Sequence, residues 1–159
     1  MSSKTLFRLI RSTVIVALLS GLFAYIYIIP TLGTYLVTQY PDYSHLYYPW
    51  LIFLWLAALP YLAILVLMWK VSGVIGQDKV FTTNTAKTAK LGSILFFGNA
   101  GFFFLGNVVF LILNMNHPVV LLLSLFICMF NVTLAVFAAV MARYITKAAA
   151  LQEEADNTI

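Results

Sequence analysis

The sequence predicts an all-α integral membrane protein. It would be a four-helix bundle with both termini in the cytoplasm, its third and fourth helices extending past the bilayer on that side. Three observations predict this. The 159 residues are 63% hydrophobic and only 9% charged, whereas a soluble domain carries about 25% charged residues. Four apolar runs lack Asp, Glu, Lys and Arg altogether, and each reaches the roughly 20 residues that a helix needs to cross hydrocarbon. All nine Lys and Arg fall in three segments that alternate with two segments holding none. Cytoplasmic segments carry the Lys/Arg excess, so the expected location is a membrane with segments 1–11, 70–90 and 143–159 on its cytoplasmic side.

The chain opens with "MSSKTLFRLIR", whose Lys4, Arg8 and Arg11 precede the first run, residues 12–37. A basic start before an apolar run resembles a secretory signal. The run is too long for one, and "GLFAYIY" offers no small-x-small cleavage site, so a retained first span is expected. Pro30 lies late in this span and Pro60 in the middle of the second, residues 47–69. Each lacks a backbone donor and predicts a kink. The connection between these spans holds Tyr40, Tyr43, Tyr47, Tyr48 and Trp50, rings expected to form an interfacial belt rather than a cation cage.

Spans three (91–115) and four (117–142) carry the intramembrane polar groups. At about 100° per residue, Asn99, Asn107 and Asn114 fall within about an 80° arc of the third helix, and Ser124, Cys128 and Asn131 share a face of the fourth. Carboxamides are costly in hydrocarbon unless paired, so hydrogen bonds between these two helices are the expected arrangement. The functional alternative is a polar path for a small solute. No Asp, Glu, Lys, Arg or His joins the stripe, and such groups usually mark proton relays and charged-substrate sites.

Catalytic signatures are sparse. A single cysteine excludes an internal disulfide and a Cys-x-x-Cys redox pair. His45 and His117 fall at or beyond the outer interface, and a catalytic zinc usually takes three protein ligands. An enzyme on the outer face using these histidines is a remote reading. No catalytic residue, cofactor or metal is therefore expected, and the protein is read as non-enzymatic.

The distinctive polar chemistry lies at the inner face. In "GQDKVFTTNTAKTAKLG", residues 76–92, Thr82 or Thr83 can cap a helix that runs straight into span three. Phe81 can pack back on its first turn or dip into the interface. Lys87 and Lys90 share a face and are placed to anchor at anionic headgroups. The tail "ARYITKAAALQEEADNTI" can extend span four into water. Its Glu153, Glu154 and Asp156 sit unfavourably at a helix C-terminus; either pairing with Lys79, Lys87 and Lys90 offsets that, or the tail is simply solvated. The expected docking surface comprises Phe81, Thr82, Asn84, Lys87 and Lys90 with Leu151, Glu153, Glu154, Asp156 and Ile159.

Two stretches, "KVFTTNTAKTAKLGSI" and "LQEEADNTI", resemble a known family. Val80, Phe81, Asn84, Leu91, Gly92, Leu151, Glu154, Asp156, Thr158 and Ile159 follow the pattern of the bacterial four-span "domain of unknown function 2975" group. Asn157 stands where Leu is usual, and Ala89 where a larger residue is common. The resemblance implies no biochemical activity. It does imply a gene neighbourhood that often includes a small helix-turn-helix regulator, and hence a membrane partner that holds or senses such a protein. The expected partners are the bilayer, that cytoplasmic regulator and possible further copies of the chain, with no direct nucleic-acid binding. The alternative function is a small transporter or an export or immunity factor using the polar stripe.

Overall fold

The computed structural model describes residues 3–77 and 80–156, and it is all-helical over them apart from short connections. Helix α1 (Ser3–Phe23) passes through a π-turn (Ala24–Ile28) into α2 (Ile29–Gln39), and a 3₁₀ turn (Pro41–Leu46) leads into α3 (Tyr47–Gly76). Helices α4 (Thr83–Ile112) and α5 (Pro118–Asp156) follow. Four helical stretches, Ser3–Gln39, Pro41–Gly76, Thr83–Ile112 and Pro118–Ala155, are each long and apolar enough to cross a bilayer. They run past the apolar cores expected from sequence, except that α4 stops at Ile112, short of residue 115, and α5 begins at Pro118, one residue after 117.

A π-turn stands just upstream of Pro30, where a kink was expected. Ile29 N–H bonds to Ala24 O, five residues back. Continued in that register, residue 30 would donate to the Tyr25 carbonyl, but proline has no N–H. The Trp55 indole N–H takes its place, donating to Tyr25 O at 3.1 Å. The orphaned carbonyl thereby ties the first span to α3. Trp55→Phe is expected to lower stability by about 1 kcal/mol, read as earlier unfolding in detergent. An unchanged melt would mean that the carbonyl finds another donor.

The helices alternate in direction. Phe7 lies against Gly76, and the Tyr47 ring covers Gly33, where a Cβ would stand 2.7 Å from Cε2. This alternation gathers Lys4, Arg8 and Arg11 of α1, Lys70 of α3, Lys87 and Lys90 of α4, and Arg143 and Lys147 of α5 at one end of the molecule. Arg11 is held there between two rings, its guanidinium carbon 4.3 Å from the Phe7 centroid and 4.4 Å from that of Trp69.

Contacts are unequal. Helices α4 and α5 form the most extensive pair; α3 packs on α4; and the first span packs extensively only on α3. Helix α3 meets the first span and α4, and through Tyr61 and Asn131 it also meets α5. The α4–α5 seam explains the asymmetry. Ala86, Ser93, Ala100 and Asn107 recur every seven residues on α4, as do Cys128, Ala135 and Ala142 on α5. Seven-residue spacing keeps one face toward a partner, and small side chains let membrane helices approach closely. Where α3 joins them, Phe53 is buried among Phe102, Phe103, Phe110 and Trp50, with ring centroids 5.2–5.9 Å from its own.

Candidate functional site

The polar residues of the seam come first. Asn99, Asn107, Ser124 and Asn131 are all buried, but their partners are not one another. Asn107 Nδ2 donates to Phe103 O at 2.8 Å within its own helix, and its Oδ1 accepts from Asn116 Nδ2 at 3.0 Å in the connecting turn. Asn131 Oδ1 accepts from the Tyr61 hydroxyl at 2.9 Å, on α3 rather than α4. Ser124 Oγ donates to Leu121 O. Asn99 Oδ1 is buried with no hydrogen-bond partner. The direct bonding between spans three and four expected from sequence is thus replaced by bonds to α3, to the turn and to each helix's own backbone. The exception is Cys128 Sγ, 3.6 Å from Ala100 O.

Asn114 leaves the stripe altogether. It is exposed and follows the α4 C-cap, with φ 55°. Asn114 N–H bonds to Leu111 O and Met115 N–H to Phe110 O, the pairing that closes a helix through one left-handed residue. Asparagine tolerates that conformation better than most side chains, so Asn114 ends the helix instead of lining it. Trp50 likewise departs from the expected belt. It is half-buried, stacks edge-on with Phe110, and donates through Nε1 to Met115 O at 2.9 Å. Tyr40, Tyr43 and Tyr48 remain exposed.

At the basic end, of the two expected candidates it is Thr82 rather than Thr83 that caps α4, its Oγ1 accepting from Thr85 N at 3.2 Å. Phe81 and Asn84 are exposed beside the cap. Thr83, Ala86, Lys87 and Lys90 then form one bank of a groove of about 440 Å³. The facing bank is Ala139, Ala142, Arg143 and Thr146 of α5. Each set stands at i, i+3, i+4 and i+7, so the groove follows one flank of the α4–α5 seam. Lys87 and Lys90 therefore face α5 at residues 139–146, and the tail does not line the groove. Helix α5 continues past it, with Leu151, Glu153 and Glu154 exposed. Ile159, Asp78 and Lys79 lie outside the described residues, as does the side chain of Asp156.

A second, almost wholly apolar groove of about 480 Å³ runs between α2 and α3 at the opposite end, where Gly33 leaves room beneath Tyr47 and where Leu36 and Leu51 are among the lining residues. Neither groove is lined by Asn99, Asn107 or Asn131. His45 and His117 are exposed, with His45 Nδ1 donating to Asp42 O and His117 Nδ1 accepting from Val119 N. Among the described residues, no three His, Cys, Asp or Glu side chains are grouped to hold a metal ion.

The sequence reading missed Tyr61, Asn116 and Arg143. Each acquires its role only through a neighbour distant in sequence or across a turn. Arg11 was read as a basic flank, and nothing in its own surroundings pointed to Trp69.

Four long apolar helices with their cations gathered at one end define a small polytopic membrane protein. The family model described as "Protein of unknown function (DUF2975)" matches residues 31–159, and the chain belongs to that family. Comparison with the curated proteins and with the solved structures gave no match.

Proposed function

We propose that the protein is a non-enzymatic regulatory component of the bacterial cytoplasmic membrane, with both termini and the α3–α4 connection inside. The gathering of the basic residues at one end supports that orientation. In this reading the end of α5, with Phe81 and Asn84, holds a soluble protein. The gene neighbourhood implied by the family resemblance favours a small helix-turn-helix regulator.

One observation carries the reading. Helix α5 does not stop at the level where α4 begins but runs on to Asp156, and Leu151 there is 66% exposed. A leucine on an exposed helix, flanked by Glu153 and Glu154, is an apolar anchor with an acidic rim, the pattern by which a helix seats in a partner's groove. The alternative, a solute path with a transport, export or immunity role, has only the unpartnered Asn99 Oδ1 in its favour. Asn107 and Asn131 are already bonded to protein groups.

The test is affinity purification from the native host with the tag at the N-terminus. Deleting residues 151–159 is expected to abolish recovery of a stoichiometric soluble partner while membrane insertion persists. Equal recovery with and without the tail would reject the proposal.

A further inference from the structure

The groove between α4 and α5 at the basic end is not needed for the docking role proposed for the tail, and its chemistry is specific. Its floor is methyl groups of Ala86 and Ala142, both buried in the seam, and the exposed Ala139 stands on the α5 bank. Its banks carry three exposed cations, Lys87 and Lys90 on α4 and Arg143 on α5, and no acidic residue lines it. Its position along the helices is equally telling. Lys90 immediately precedes the apolar run that begins at Leu91, and Arg143 immediately follows the run that ends at Ala142. All three charges therefore stand where hydrocarbon gives way to headgroups, the depth at which lipid phosphates lie.

We propose that this groove is a site for an anionic phospholipid, with its phosphate held between Lys87, Lys90 and Arg143. The guanidinium of Arg143 presents paired N–H donors that match two phosphate oxygens, while the two ammonium groups act as mobile point charges from the other bank. Alanine at 139 and 142 leaves the space; a larger side chain at either position would fill it. Basic pockets between membrane helices recognise phosphorylated headgroups in this way. Beyond Lys90 and Ala139 the same two helix faces carry the exposed apolar side chains of Ile94, Phe97, Val136 and Val132, so the molecule that suits the groove is an amphiphile rather than a free anion. With the groove occupied, Lys87 and Lys90 belong to the lipid, and Phe81, Asn84 and the tail remain for a protein.

The test uses the full-length protein in mild detergent, with bound lipid counted by native mass spectrometry. The probes are phosphatidylglycerol, cardiolipin and phosphatidylcholine. Wild type is expected to retain the two anionic lipids at least about tenfold better than phosphatidylcholine, with each neutralised groove cation weakening retention about fivefold. The variant K87Q/K90Q/R143Q should lose the preference. K4Q/R8Q/K147Q, which removes the same charge elsewhere at the same end, should keep it. Ala139→Leu retains every charge and is expected to reduce retention by filling the groove, so the assignment is readable even if the triple variant folds poorly. Equal loss in both triple variants, or full retention by Ala139→Leu, would overturn the site. Displacement of the lipid by millimolar inorganic phosphate would reassign the groove to a free anion and also overturn the proposal.

Discussion

Replacing Gly106 with alanine is expected to lower stability by about 1–3 kcal/mol, a large effect for one methyl group. A Cβ built at Gly106 overlaps Phe53 Cε2 and stands 2.8 Å from Cζ and 3.1 Å from Cδ2. Phe53 has no easy retreat, since rings from Trp50, Phe102, Phe103 and Phe110 surround it. The strain therefore falls on the α3–α4 contact, which joins the first two spans to the last two. Gly98 and Gly101 on the same helix have open space at the Cβ position. Alanine at either is expected to be neutral or mildly stabilising, because glycine costs a helix up to about 1 kcal/mol relative to alanine. Thermal unfolding in detergent compares the three. Shrinking the obstructing ring, in Phe53→Leu with Gly106→Ala, should recover part of the loss. Equal melts for all three alanine variants would show that the ring moves aside.

Asn131→Leu is expected to cost about 2–4 kcal/mol, combining a lost membrane hydrogen bond of about 1 kcal/mol with overpacking of about 1–3 kcal/mol. Asn131 is fully buried, and Ala135, one turn on, is too. No space exists for the larger side chain, and the Tyr61 hydroxyl loses its acceptor. Tyr61→Phe removes only the bond and should cost about 1 kcal/mol. A double-mutant cycle between the two separates bonding from packing. A positive coupling assigns the asparagine to holding α3 against α5. If instead Asn131→Leu folds as well as wild type, the carboxamide is not structural and the solute-path reading gains ground.

The spans and the grouping of the cations were legible because each depends on local composition: four charge-free runs, and Lys or Arg only in alternate segments. The Thr82 cap was legible for the same reason, since its partner is three residues away. What was not legible depended on register between helices. Asn99, Asn107 and Asn131 were recognisable as buried polar groups from their helical spacing, but which atom meets which is fixed by the α4–α5 alignment and by α3. Tyr61 lies 70 residues from Asn131. Arg143 faces Lys87 and Lys90 only once Ala86 is set opposite Ala142. The seven-residue recurrence of small residues on both helices could have supplied that alignment, because two such seams pair in few ways. Asn114 was misplaced because helical phase was continued past the point where a left-handed residue ends the helix. Which helix pairs pack most extensively was not legible either: composition shows that four helices share a membrane, and says nothing of which pairs carry the small residues that bring them close.

At 1.5 Å per residue, the 39 residues of α5 extend roughly 58 Å, about twice the thickness of bilayer hydrocarbon. Its only proline is Pro118, at the first position, so no missing hydrogen bond interrupts the rod. One extremity sits next to the turn where Asn116 grips Asn107, and the other carries Leu151. Unbroken over that length, α5 would move as one rod. A tilt of 10° about its middle would swing Leu151 sideways by roughly 4 Å.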